Sequence, residues 1–330
     1  LKILFFARLA SRKIGAIVIR LERVKRILTI LWTSKSFAMR LTRVMLMLIA
    51  GLLVMVMFFE DEFIYYPAKY PEGDWQVETF AREGEIIPSI EDAYFQTSDG
   101  VKLHGWFCSP QKKTGGAMER VPAMMTLLWF HGNAGNLSHR YDMLRALIKL
   151  PAQIFIIDYR GYGRSEGAPS EEGLYLDARA AWEYLTAELG IAPDRIIIFG
   201  KSLGGAAAID LAGKVEAAGL IVQSSFTSAA DMAARIMPFI PRALIKTKMD
   251  SINKIASVRY AKLFIHSPTD EVVPYELGRR LFEAAGEPKQ FYEVKGAGHN
   301  NTWLAGGKDY FEALRAFVEA CAPKNQTGFT

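Results

Sequence analysis

Cysteine is nearly absent from this chain: 330 residues hold two, Cys108 and Cys321, more than two hundred positions apart. Such a pair builds neither a disulfide framework nor a thiolate metal site, and the five histidines show no ligand spacing. Positive charge is missing where a nucleic-acid protein would need it. The formal net charge is +5, but residues 1–43 hold 11 Lys or Arg against one acid, Glu22. The remainder carries 29 basic and 34 acidic residues, a net −5, and nothing in it points to nucleic acid. Two glycine motifs fall short. Gly200-Lys201-Ser202 matches the end of a phosphate loop, yet position 195 is Arg195 where that loop needs glycine. Gly161-Tyr162-Gly163 lacks the third glycine of a dinucleotide fingerprint, because position 166 is Glu166. No internal repeat is apparent.

The first strong positive signal is an apolar run. From Val44 to Phe59 sixteen residues carry no charge, and extending back to Leu41 gives 19 residues. As a helix these span about 28 Å, close to the ~30 Å hydrocarbon core of a bilayer. Arg40 and Arg43 precede the run, and Glu60, Asp61 and Glu62 follow it. The pattern predicts a transmembrane anchor over 41–59, with the N-terminus cytoplasmic and the rest extracytoplasmic, in the periplasm. No small-x-small cleavage site follows the run. The first methionine is Met39, so 1–40 reads as a basic cytoplasmic tail or as upstream sequence foreign to the protein.

Beyond the anchor, 60–90 reads as a linker and first irregular strand, and 91–322 as one catalytic domain. Ser98-Asp99-Gly100 between Glu91–Thr97 and Val101–Cys108 predicts a hairpin. Apolar strands then alternate with helices. Strands are expected at Met124–Phe130, Ile154–Ile157, Ile196–Phe199, Leu220–Val222, Lys262–His266 and Gln290–Val294. That rhythm argues for a mostly parallel sheet covered on both faces. One insertion interrupts it. Residues 223–260 contain Met232, Ile236, Met237 and Phe239 near Pro238 and Pro241, which reads as a core helix with its connection or as a lid lining an acyl site.

Chemistry is expected at the carboxyl ends of the strands, where parallel sheets bind ligands. The Ile196 strand stops at Gly200, and Ser202 follows in the pattern Gly-x-Ser-x-Gly before a run of alanines. A serine on such a sharp strand-to-helix turn needs small neighbours, and the helix N-terminus beyond it can hold an oxyanion. The Lys262 strand ends near Asp270 and the Gln290 strand near His299. A hydroxyl nucleophile needs a base, and an imidazole base needs a carboxylate to fix its tautomer. Glu271 and Asp158 compete with Asp270, and His131, His139, His104 and His266 with His299; His131 and Asp158 read as braces of their turns.

The order Ser, Asp, His, the elbow G-K-S-L-G-G, the turn H-G-N-A-G and the stretch D-Y-R-G-Y-G-R-S resemble the α/β-hydrolase superfamily. With F-I-Y-Y-P after the apolar run and G-A-G-H-N near the end, the chain is similar to its membrane-anchored branch over roughly residues 60–320. That branch includes serine aminopeptidase-like and lysophospholipase-like bacterial proteins and eukaryotic depalmitoylating thioesterases. The resemblance implies an α/β-hydrolase fold: a mostly parallel sheet with an antiparallel N-terminal hairpin, preceded by one transmembrane helix. It implies a serine hydrolase of acyl esters or thioesters with Ser202, Asp270 and His299 catalytic, and Leu203 and Asn133 supplying oxyanion N–H groups. No metal or organic cofactor is required, and the lipid bilayer is the expected partner through 41–59. Lys201 stands where arginine is usual and Ser267 where glycine often precedes the acid; the N-terminal cysteine cluster of the palmitoylated thioesterases is missing.

Overall fold

The computed structural model describes residues 37–77, 80–238 and 240–323, together with 22, 25, 26 and 29. The expected tail, 1–40, lies almost wholly outside the described residues. Two compact units divide between Phe59 and Glu60. Helix α1, Phe37–Ile64, crosses that division and leaves helical geometry at Phe59 (φ −119°, ψ 24°). Leu41 and the residues from Val44 to Ile49 are exposed large hydrophobics.

Among the described residues no helix is long and apolar enough to cross a membrane. The anchor expected over 41–59 falls in part outside the residues on which that statement rests. The side chains of residue 50 and residues 53–58 lie outside the described residues.

From Glu60 onward the chain forms a central sheet of strands β2 (Ile86–Gln96), β3 (Lys102–Thr114), β4 (Ala117–Arg120), β5 (Met125–Phe130), β7 (Ala152–Asp158), β8 (Ile196–Lys201), β9 (Gly219–Gln223), β10 (Ala261–His266) and β11 (Lys289–Glu293). The order is β11-β10-β9-β8-β5-β7-β3-β2, with β4 paired to β3. Pairs from β7 through β11 are parallel, while β3 runs antiparallel to both β2 and β7. The central parallel strands β5, β8 and β9 are buried on both faces, which explains their nearly unbroken apolar sequences. A separate two-residue ladder joins β1 (Tyr66–Pro67) to β6 (Ala134–Gly135) in parallel.

Helices α2 (Tyr141–Leu147), α3 (Glu171–Glu183), α4 (Leu203–Ala212), α5 (Ala229–Ile236), α6 (Ser251–Lys254), α7 (Tyr275–Ala284) and α8 (Thr302–Cys321) fill the connections. One core holds Leu174, Ala207 and Leu281 from α3, α4 and α7. The other holds Leu144 and Leu314 from α2 and α8, with Trp129 stacked on Phe199 at 5.8 Å. Alternate residues of β5 and β8 divide between the two cores, as the pleat requires.

The hairpin begins earlier than the sequence suggested, at Ile86 rather than Glu91. Pro88 hides this stretch because proline argues against a strand. Yet β2 is the edge of the sheet, where a missing N–H costs no ladder bond. The insertion 223–260 is α5, a single turn at Arg242–Leu244, and α6. Its strap is pinned by two carboxylates. Glu60 accepts the N–H groups of Lys246 (2.9 Å) and Thr247 (2.8 Å), and Glu171 those of Lys248 (2.6 Å) and Met249 (2.7 Å).

Candidate active site

Strands β8, β9, β10 and β11 are consecutive neighbours and parallel, so the loops at their carboxyl ends share one rim. Ser202 directly follows β8, Asp270 follows β10, and His299 follows β11. Ser202 occupies φ 54°, ψ −120°, a region that a residue with a side chain rarely enters. Three hydrogen bonds hold it there: its N–H donates to Gln223 O, and its carbonyl accepts from Ser225 Oγ and Gly205 N–H, all at 2.9 Å. The elbow glycines are steric requirements. A Cβ on Gly200 would overlap the Gly204 carbonyl, and one on Gly204 would overlap the Phe130 carbonyl.

The imidazole arm is assembled from two adjacent acids. His299 Nδ1 lies 2.9 Å from Asp270 Oδ2 and 3.0 Å from Oδ1, while the His299 N–H donates to Glu271 Oε2 at 3.0 Å. The N–H groups of Val272 and Val273 also donate to Asp270 Oδ1, at 3.0 and 2.8 Å. Burial opposes the Asp270 charge, but the hydrogen bonds from His266 and His299 outweigh it. They hold the carboxyl well below the usual carboxylate range. Asp270 is thus a fixed anion at the rim, and it makes Nδ1 of His299 the protonated nitrogen. No hydrogen bond links Ser202 Oγ to His299 in this structure.

Leu203 follows Ser202 at the start of α4, and Asn133 lies in the turn after β5. Leu203 opens α4, so its N–H has no carbonyl one turn earlier in the helix, and the cap Ser202 makes no side-chain capping bond. A Cβ on Gly132, just before Asn133, would lie 3.6 Å from Ser202 Cβ, which brings the H-G-N-A-G turn against Ser202. Lys201 is the nearest cation in sequence. Burial pushes its ammonium down to about 8; Arg140 repels it further and Asp270 opposes the shift.

Several supports were not read from the sequence. Gln223, fully buried at the end of β9, accepts from Tyr310 Oη (2.7 Å) and donates to Thr302 Oγ1 (2.5 Å). It thereby ties the Ser202 elbow to the start of α8, three residues past His299. A polar residue closing an apolar strand was the available signal. Ser267 and Thr269 hydroxyls both donate to Ala297 O, at 2.6 and 2.9 Å, joining the acid loop to the histidine loop. Asp158 is buried beside His131 (3.5 Å) and His104 (3.8 Å), and accepts the Leu137 N–H at 2.8 Å.

The four expected substrate contacts do not behave alike. Met232 packs against the core, Met237 is half-buried, Ile236 is 65% exposed, and Phe239 lies outside the described residues. Met232 is drawn inward because α5 turns one face to the core below it.

Among known proteins, residues 122–250 match the family described as serine aminopeptidase, S33. The chain is 35% identical over 290 residues to the uncharacterized protein Rv2307c of Mycobacterium tuberculosis, covering 88% of this chain and 98% of that one. It is 34% identical over 300 residues to the α/β hydrolase domain-containing protein WAV2 of Arabidopsis thaliana, covering 84% and 93%. Among solved structures it is similar to the Pyrococcus furiosus esterase Pf2001, with a TM-score of 0.58 at 20% identity, over 70% of this chain and 92% of that one. The sheet order, the elbow and this relationship agree: the chain belongs to the α/β-hydrolase family.

Proposed function

We propose that this protein is a serine hydrolase that cleaves carboxylic ester or thioester bonds of acyl or lipid-like substrates. The observation that carries the reading is the Asp270–His299 pair set on the same rim as a serine in strained backbone geometry. With Nδ1 committed to Asp270, Nε2 of His299 is the nitrogen that takes the Ser202 proton as the oxygen attacks the carbonyl. The N–H groups of Leu203 and Asn133 hold the oxyanion, each worth roughly 3–4 kcal/mol at the transition state. His299 returns the proton to the leaving group, and water then repeats the sequence on the acyl-enzyme. Apo contacts of this kind tighten with substrate bound, which accommodates the absent Ser202–His299 hydrogen bond.

Labelling with a fluorophosphonate probe tests the nucleophile. Wild type becomes labelled and Ser202→Ala does not; a folded wild type that resists the probe overturns the reading. Acyl esters of graded chain length test the insertion as a lid contributing Met232, Ile236, Met237 and Phe239. A preference for long chains supports it, and indifference to length removes it. The serine aminopeptidase description of the matched family favours peptide bonds as a second reading. An aminoacyl-peptide panel turned over faster than the esters would put that reading first.

Location is part of the proposal. The catalytic unit is held at a bilayer through 41–59, with the N-terminus cytoplasmic and the hydrolase extracytoplasmic. Exposed apolar side chains from Leu41 to Ile49, between Arg40 and the acids 60–62, support this. Recovery in the membrane fraction after alkaline extraction is the expected result. Complete release into the supernatant would overturn it.

A further inference from the structure

The F-I-Y-Y-P stretch has no part in the chemistry above, yet it closes on the oxyanion turn. Three successive carbonyls there are each held by a hydrogen bond. His131 O accepts from Tyr159 Oη at 2.7 Å, and Gly132 O lies 2.7 Å from His131 Nδ1. Asn133 O accepts from Tyr162 Oη at 2.7 Å and from the Tyr66 N–H at 3.2 Å. The Asn133 side chain adds a fourth tie, its Nδ2 donating to Ile64 O at 2.9 Å. Gly132 O is the far end of the peptide unit whose N–H belongs to Asn133. A planar peptide aims its N–H opposite its carbonyl, so a donor on Gly132 O sets the direction of the Asn133 N–H. The β1–β6 ladder continues the attachment, pairing Tyr66 with Ala134 and Pro67 with Gly135.

We infer that Ile64–Pro67, Tyr159 and Tyr162, with the His131 imidazole, form a brace that positions the oxyanion-binding peptide of Asn133. These are positioning residues: none need touch the substrate. The inference rests on the reading of Asn133 as an oxyanion donor. The brace has a physical reason to exist. Two consecutive small residues, Ala134 and Gly135, follow Asn133, and a turn with so little packing volume needs polar ties to hold one orientation. Oxyanion stabilisation depends on that orientation being set in advance, since a misplacement near 1 Å costs about a hundredfold in rate.

The test is a pair of isosteric variants, Tyr159→Phe and Tyr162→Phe, with Asn133→Ala as a third that keeps the backbone N–H but loses the Ile64 tie. Each is assayed on an acyl ester and titrated with a trifluoromethyl ketone, whose hemiketal oxygen occupies the oxyanion position. The expected result is a fall in kcat of about tenfold or more with KM within twofold, and a matching rise in the inhibition constant. Thermal unfolding in parallel separates a purely structural role. A lower Tm with kcat and the inhibition constant unchanged in all three overturns the brace. Should Ser202→Ala itself retain activity, the underlying serine-hydrolase reading fails instead, and the two failures are distinguishable.

Discussion

Asp270 holds the His299 imidazole with both carboxylate oxygens, at 2.9 and 3.0 Å from Nδ1, while adjacent Glu271 takes only the His299 main-chain N–H. The two acids therefore differ in consequence. Asp270→Asn can present its own N–H to Nδ1 and impose the wrong tautomer, so kcat falls by about 10⁴. Glu271→Gln still accepts the N–H through its amide oxygen, and kcat falls by less than about tenfold. Steady-state assays of both variants on one ester check this; equal losses would contradict the assignment.

Lys201 makes stability depend on alkaline pH. Its ammonium titrates near 8 in the folded protein against a reference of 10.5. The depressed value means the charge destabilises the fold, fully so below pH 8. Between about 8 and 10.5 the unfolded chain binds more protons, so this contribution improves as pH rises across that window. Lys201→Met removes the effect. The variant's Tm gain over wild type is expected to be largest at pH 7 and to fade toward pH 10.5, read by calorimetry across that range.

Backbone strain at the elbow gives opposite signs for two substitutions. Ser202→Gly relaxes the φ 54° residue and raises stability by about 1 kcal/mol while abolishing turnover. Gly204→Ala drives a methyl into the Phe130 carbonyl, and because backbone yields little, it costs about 3 kcal/mol. Urea unfolding of the pair measures both.

Removing one hydroxyl tests the buried link behind Ser202. Tyr310→Phe leaves Gln223 Oε1 short of its donor in a fully buried site, and stability falls by about 1–3 kcal/mol. An unchanged unfolding midpoint would show that the link contributes nothing.

The strand–helix alternation and the elbow were legible because each is encoded locally. A strand buried on both faces reads as an apolar run, and a turn that excludes Cβ atoms reads as glycine at Gly200, Gly204 and Gly205. The places of Ser202, Asp270 and His299 just past strand ends were legible one at a time. The early start of β2 was not, since Pro88 is tolerated only because that strand is at the sheet edge, and edges are decided by strand order.

Which acid serves which atom of His299 was likewise a tertiary decision. Asp270 and Glu271 are neighbours in the chain, and only the fold of the 267–273 loop, tied through Ser267 and Thr269 to Ala297, turns one toward the ring and the other toward the main chain. Residue types and local spacing determined the fold class and the chemistry on offer. The joining of Ile64–Tyr66 to Asn133, and of Gln223 to Tyr310, came from contacts between segments some seventy to ninety residues apart. Such contacts leave no periodic trace, because a single hydrogen bond constrains one atom and not a repeating face.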